Sequence, residues 1–435
     1  MERLIIRQLK AWKDKRNRKP LVIRGARQVG KTWIMKEFGR RYFENTVYVS
    51  FDNNPQLANV FDLDYDIPRI ISALKIISGQ QIDPENTLLV FDEIQEVPKA
   101  LTALKYFHEN APEYAIVSAG SLLGVALHGG TSFPVGKVDF LSLYPMNFLE
   151  FLMAAGQGEL AGLLENLDFG MVNAFGAKFA HLLRTYYYVG GMPEAVQAYI
   201  DTDDMREVRN IQKELLLYYT NDFSKHAPRE TIPRIHMVWD SIPMQLAKEN
   251  RKFVYGAVRE GARAKDFELA IQWLLDCGLI HKSVRIKKPG MPLVSYMDMS
   301  AFKIYMLDVG LLAAMGDLDA KTLLDKKRIM TEFRGSLTEQ FVAQELRSRE
   351  MDLFYYSASN SKGEIDFVVQ TGGHIVPVEV KAEENLQAKS LREFVKKYQL
   401  KDAVRTSMSD YREQDWMVNV PLYAAGVYLS RHFSE

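Results

Sequence analysis

The chain has 435 residues, 47% hydrophobic and 25% charged, a length that predicts more than one domain and a composition ordinary for globular proteins. Its 55 Lys and Arg balance 55 Asp and Glu, so no global field draws it onto nucleic acid or an acidic membrane, and any DNA-binding surface must be a local patch. Cys277 is the only cysteine, which excludes an intramolecular disulfide and fits a reducing cytoplasm.

The first twenty residues, MERLIIRQLKAWKDKRNRKP, lack a long apolar run, so no secretory leader is expected. The cations of Lys13–Lys19 read as a solvated helix end or as a nucleic-acid contact. Leu21–Arg24 is a short apolar strand, Thr32–Phe43 has helical spacing, Thr46–Phe51 alternates like a strand, and Thr87–Phe91 is a buried apolar run. A helix over Ala100–Glu109 and strands over Tyr114–Ser118 and Val138–Leu143 follow. Alternating strands and helices predict a parallel sheet covered on both faces. From Pro145 to about Lys225 the spacing is helical, with a turn at Gly190-Gly191. Three more helical stretches end near Gly278, and a basic strand with Lys282, Arg285, Lys287 and Lys288 comes next. Helices plus a basic hairpin outline a winged helix. From about Phe333 the order is helix, strand, strand hairpin, helix. No segment approaches eighteen uninterrupted apolar residues, so no membrane span is expected, and the protein is expected to be cytoplasmic.

The most specific motif is Gly25-Ala26-Arg27-Gln28-Val29-Gly30-Lys31-Thr32, a G-x-x-x-x-G-K-[ST] loop between a strand and a helix. The glycines let the backbone close around phosphates, and N–H groups at the helix N-terminus favour the anion. Lys31 is placed to reach the β- and γ-phosphates of ATP, and the Thr32 hydroxyl to ligate Mg²⁺. Leu88–Glu93 supplies the second half: an apolar strand ending in Asp92, a candidate Mg²⁺ ligand, and Glu93, a candidate base for the attacking water. Tyr114–Ser121 ends in small polar residues. Ser121 is the candidate sensor of the γ-phosphate, with Ser118 second and a plain polar turn the alternative.

The ordered set GARQVGKT, VFDEIQ, SAGSLLG, FPVGKVDFLSLYPMNFLEFL and GGMPEAV resembles the bacterial and archaeal AAA-type ATPases that carry a C-terminal domain of unknown function, the DUF4143 family. The resemblance covers nearly the whole chain. It implies an ASCE-type α/β P-loop domain (1–145), a helical lid (146–226), a winged helix (227–290) and a C-terminal nuclease-like α/β domain (291–435). Members of that family carry Arg in the segment written here as Pro134-Val135-Gly136-Lys137. Lys137 keeps the charge and loses the planar fork, which puts an arginine-finger role in doubt.

Near the C-terminus, Glu364–Val369 and Ile375–Lys381 read as a hairpin. Glu379 and Lys381 share a face of one strand, and Asp366 lies on its neighbour. Glu339 sits on the apolar stripe of the helix Leu337–Leu346, pointing inward. Three acids and a lysine suit a Mg²⁺-dependent phosphodiester site. The pattern Asp366, Glu379-Val380-Lys381 and Glu339 resembles the PD-(D/E)XK nuclease fold and names a second metal site. The alternatives are a surface ion pair or a retained, inactive site.

Tyr186, Tyr187, Tyr188 and Trp273 read as core, and no histidines stand at metal spacing. Arg259, Arg263 and Lys265 are candidate DNA-phosphate contacts of the winged helix, which also serves elsewhere as a protein-docking module. Three functions compete: an ATPase coupled to a nucleic-acid-processing or binding unit, a nucleotide-regulated switch whose C-terminal fold docks a protein partner, and an ATP-independent nuclease with an ATPase used for gating.

Overall fold

The computed structural model describes residues 1–120, 134, 136–248, 251–321, 331–358, 363–382 and 388–433, with 331 and 332 as backbone only. The chain divides into two compact units. One is Arg3–Tyr144 with Asp276–Gly278; the other is Pro145–Leu275 and Leu279–Glu435 with Met1–Glu2.

The first unit is a parallel α/β sheet. Its strands are β1 (Leu21–Arg24), β2 (Asn45–Ser50), β3 (Thr87–Asp92), β4 (Ala115–Ala119) and β5 (Asp139–Ser142), in the order β2-β3-β4-β1-β5. Helices α1 (Ile5–Lys13), α2 (Lys31–Tyr42), α3 (Pro55–Leu63), α4 (Ile67–Ser78) and α5 (Pro98–Asn110) accompany it. Strand β3 is buried at every position, which is why TLLVFD is an apolar run without alternation. Phe91 meets Phe51, Phe61 and Phe107 edge-on, with centroids 5.6, 6.2 and 6.3 Å away. This ring cluster fixes the strand whose end carries the acids. The alternation of strands and helices read from the sequence is present, with ends moved by a residue or two. The structure adds α3 and α4. Their start signals are local: Asn54 and Asp66 accept from the backbone N–H of Leu57 and Arg69 at 3.2 and 2.8 Å, and a proline sits in each first turn.

The second unit opens with helices α6 (Phe148–Ala154), α7 (Gly158–Glu165), α8 (Phe169–Ala174), α9 (Gly176–Val189), α10 (Pro193–Thr202), α11 (Met205–His226), α12 (Ile232–Leu246), α13 (Tyr255–Val258) and α14 (Ala264–Asp276). The turn between α9 and α10 needs glycine: a Cβ on Gly190 would lie 2.1 Å from Oδ1 of Asp308. The three tyrosines of α9 are core, as expected; Tyr186 and Tyr187 place their rings 5.9 and 5.5 Å from Phe341. Trp273 is buried against Phe223, whereas its helical neighbour Leu269 is exposed.

The rest of this unit is a mixed sheet in the order β12-β13-β11-β10-β9-β8-β6-β7. The basic hairpin is β6 (Ile280–Ile286) and β7 (Met297–Met306); β8 is Phe354–Ser357, β9 Glu364–Thr371 and β10 His374–Val380. Strands β11 (Val404–Ser407), β12 (Arg412–Gln414) and β13 (Met417–Pro421) extend it. Because β6 pairs in parallel with β8, the hairpin and the C-terminal strands share one sheet across residue 290. Helices α15 (Val309–Met315), α16 (Thr331–Arg347), α17 (Lys389–Tyr398) and α18 (Ala425–Arg431) complete the unit. Among the described residues, no helix is long and apolar enough to cross a membrane.

Candidate functional site

The first site forms at the C-terminal ends of β1 and β3. The chain leaves β1 into the loop 25–30, whose backbone is left-handed at Gln28 (φ 66°) and at Gly30 (φ 94°), the residue that caps α2. A Cβ on Gly25 would lie 2.2 Å from the Leu143 carbonyl oxygen, so only glycine fits there. Lys31 is buried, and its ammonium donates to the carbonyls of Gly25 and Ala26 at 2.9 and 2.8 Å. Burial lowers its pKa to about 8, against the opposing pull of Glu93 and Asp92.

Thr32 and Asp92, sixty residues apart, meet directly. The Thr32 hydroxyl donates to Asp92 Oδ2 at 2.6 Å. The Tyr48 hydroxyl donates to the same oxygen at 3.0 Å, and the backbone N–H of Glu93 to Oδ1 at 3.1 Å. Tyr48 is a residue that the motif reading missed; its signal is a lone tyrosine on the strand beside β3. Glu93 itself has φ 51°, a left-handed conformation that costs a non-glycine residue about 1 kcal/mol or more and is concentrated at functional sites. Its Oε2 accepts from Gln95 Nε2 at 2.7 Å.

The remaining candidates of this unit divide. Ser121 lies outside the described residues. The Ser118 hydroxyl donates to the Leu21 carbonyl at 3.1 Å, tying β4 to β1. Lys137 pairs with Glu109 at 2.9 Å. The basic run at 13–19 is engaged within its own unit: Lys13 donates to the Tyr42 carbonyl, Lys15 pairs with Asp139 at 3.0 Å, and Lys19 donates to the Gly136 carbonyl at 2.7 Å.

The second cluster lies on the mixed sheet. Strands β9 and β10 are antiparallel with Phe367 opposite Val378, so Asp366 and Glu379 are the next opposed positions and share a face. Asp366 Oδ2 accepts from the Val380 N–H at 2.8 Å, and Lys381 pairs with Glu379 Oε1 at 2.8 Å. The other carboxylate oxygen of Glu379, Oε2, is buried without a hydrogen-bond partner among the described residues. Burial, and then the charge of Glu339, push the Asp366 carboxyl up to about 7.

Glu339, on α16, acts on Asp366 through its charge, while its own hydrogen bonds go to other groups. It is fully enclosed by cations and a hydroxyl: Lys303 at 3.0 Å, with Arg251 and Tyr305 also bonded. Burial opposes its ionisation, but Arg251 and Lys303 outweigh that and hold its pKa below the ordinary value. Lys303 reaches Glu364 as well, at 2.5 Å. Among the described residues, no three His, Cys, Asp or Glu side chains form a group that could hold a metal ion. Lys303 is the partner the sequence reading missed. Its signal is a lysine inside AFKIYM, a strand segment otherwise apolar or aromatic, where an ammonium must find acids.

Residues 17–152 match the family described as AAA domain. Residues 180–322 match a domain of unknown function, DUF8612, and residues 334–424 another, DUF4143. Two solved structures are similar over 72% of this chain. One is the Walker-type ATPase PABY2304 of Pyrococcus abyssi, at 13% identity and a TM-score of 0.43 over 94% of its length. The other is the Orc1 protein of Aeropyrum pernix in complex with DNA, at 14% identity and a TM-score of 0.28 over 91% of its length. No curated protein matches. The match over 17–152 falls on the parallel-sheet unit that holds the 25–32 loop, and it supports ATP binding there.

Proposed function

We propose that the chain is a Mg²⁺-dependent ATPase whose nucleotide state governs a C-terminal unit that binds or processes nucleic acid. The observation that carries the ATPase reading is the 2.6 Å contact between Thr32 and Asp92 beside the buried Lys31 ammonium. A hydroxyl and a carboxylate that converge on one point suit a hard cation, and Thr32 and Asp92 would hold it. Bound there, Mg²⁺ would offset the charge of the β- and γ-phosphates. The backbone N–H groups of Gly25–Thr32 cradle the phosphates, and Lys31 neutralises the β/γ charge. Glu93 orients and deprotonates the attacking water. Its left-handed backbone follows directly on the end of β3 at Asp92.

In the C-terminal unit, Asp366 and Glu379 with Lys381 are the pair best suited to a second divalent cation. The buried Glu379 Oε2, which has no hydrogen-bond partner among the described residues, is suited to a cation ligand. A second reading has one observation in its favour: Glu339 is already neutralised by Lys303 and Arg251, as in a retained fold that docks a protein partner without cleaving anything.

Steady-state phosphate release with Mg²⁺, with and without DNA or RNA, tests the proposal. Release no faster than that of a Lys31→Ala variant would overturn hydrolysis. Release that nucleic acid leaves unchanged would favour the docking reading.

A further inference from the structure

With zero net charge, attraction to nucleic acid has to come from a local excess of cations. The start of α14 has no such excess. Arg259, Arg263 and Lys265 are interleaved with Glu260, Asp266 and Glu268, three cations against three acids. Asp266 also accepts from the Arg263 backbone N–H at 3.0 Å, capping the helix rather than facing away from it.

Helix α17 is different. Its inward face, Leu391, Phe394 and Val395, is buried in an apolar cluster with Ile365 and Val368 of β9. Its outward face carries Lys389, Arg392, Lys396 and Lys397, all exposed, and the exposed Lys401 follows. Glu393 is the one acid between Lys389 and Lys401. Lys389, Arg392 and Lys396 are three and four residues apart, so they line one stripe about 10 Å long. Lys397 lies beside it, with its ammonium 4.8 Å from the Tyr398 ring.

A second basic segment rests on the same core. The connection from β6 to β7 begins with Lys287 and Lys288, both exposed, and has no acid through Tyr296. Ile286 before it and Leu293 within it are buried in the cluster that holds Leu391 and Phe394. One core therefore carries both the hairpin tip and α17.

We infer that the outward face of α17, with the hairpin tip at Lys287 and Lys288, is a binding surface for the phosphate backbone of double-stranded DNA. The inference rests on the nucleic-acid part of the function proposed above and names its surface. Charge complementarity selects the occupant: seven cations and one acid across the two segments face a partner with a negative charge every ~1.7 Å. Ammonium and guanidinium contacts to phosphate carry no base information, so this surface binds DNA without sequence preference and releases counterions as it does so.

The test is fluorescence anisotropy of the full chain with a labelled DNA duplex over a salt series. The expected result is linear loss of log affinity with log salt. K396E/K397E should weaken binding at least about tenfold and lower the slope by about two, one per phosphate contact. K287E/K288E, at two exposed side chains on a different element, should act in the same direction. R263E/K265E should have the smaller effect. Wild-type affinity and slope in both K396E/K397E and K287E/K288E would overturn the surface. If R263E/K265E then lost binding, the nucleic-acid reading would stand on α14 instead. A wild-type chain without salt-dependent duplex affinity would overturn both, and leave the face to an acidic protein.

Discussion

The Thr32 hydroxyl donates to Asp92 Oδ2 at 2.6 Å, joining the first turn of α2 to the end of β3. Neither strand of the pair is adjacent to the other: β4 lies between β1 and β3. The contact is therefore set by the sheet order, and it brings the phosphate loop and the acid strand to one point.

Lys31→Ala should abolish tight ATP binding, because the loop N–H groups alone leave the β/γ charge uncompensated. The wild type should also show a pH signature. Burial lowers the Lys31 pKa to about 8, so the ammonium is lost as pH rises through that value. Affinity for ATP should hold below it and fall above it. Calorimetry one pH unit to either side of the pKa checks both statements. Equal affinity on both sides, or a Lys31→Ala variant that binds like wild type, would remove Lys31 from the site.

Glu93→Gln should keep ATP binding and slow hydrolysis by at least about a hundredfold, the scale of losing a general base. The amide preserves the side-chain length and needs no new backbone conformation at φ 51°. Asp92→Asn should instead weaken the dependence on Mg²⁺, since the amide still accepts from Thr32 but no longer carries charge. Single-turnover phosphate release against Mg²⁺ concentration separates the two. Wild-type turnover in Glu93→Gln would place the base elsewhere.

The C-terminal acids should bind a divalent cation independently of ATP. Asp366→Ala with Glu379→Ala should abolish that site and leave the ATPase rate unchanged. Electron paramagnetic resonance of added Mn²⁺, with the nucleotide site blocked by the Lys31→Ala background, counts the site directly. No bound Mn²⁺ at Asp366 and Glu379 would favour the docking reading.

Much of this was legible in the residues, and the exceptions have physical causes. The 25–32 loop and the Asp92-Glu93 strand end are local motifs whose spacing fixes their geometry. The hairpin of β9 and β10 is equally local, and alternation places Asp366 and Glu379 on one face. Glu339 is also inward-facing, as its helical stripe predicts, yet its partners are Lys303, Tyr305 and Arg251. That partnership depends on long-range packing of α16 against β7, which periodicity in either segment does not encode. The same limit hid the sheet continuity across residue 290, since pairing of β6 with β8 joins segments about seventy residues apart.

Lys303 offers the sharpest test of that long-range packing. Its buried ammonium lies 3.0 Å from Glu339 and 2.5 Å from Glu364. Removing one partner of a buried ion pair costs up to about 3–5 kcal/mol, and less where, as at Glu339, a second cation stays bonded. Lys303→Met should therefore destabilise the second unit by no more than that amount, with Glu339 drawn further onto Arg251. Glu339→Gln should also destabilise it, because Lys303 would then depend on Glu364 alone. In the double variant the Lys303–Glu339 contact is removed from both sides at once, and only Arg251 and Glu364 are left short of a partner, so the combined cost should fall short of the sum by about 1–3 kcal/mol. Urea denaturation of the four proteins closes the cycle. Strictly additive losses would mean that Lys303 and Glu339 do not depend on each other, and that the enclosure of Glu339 rests on Arg251 and Tyr305.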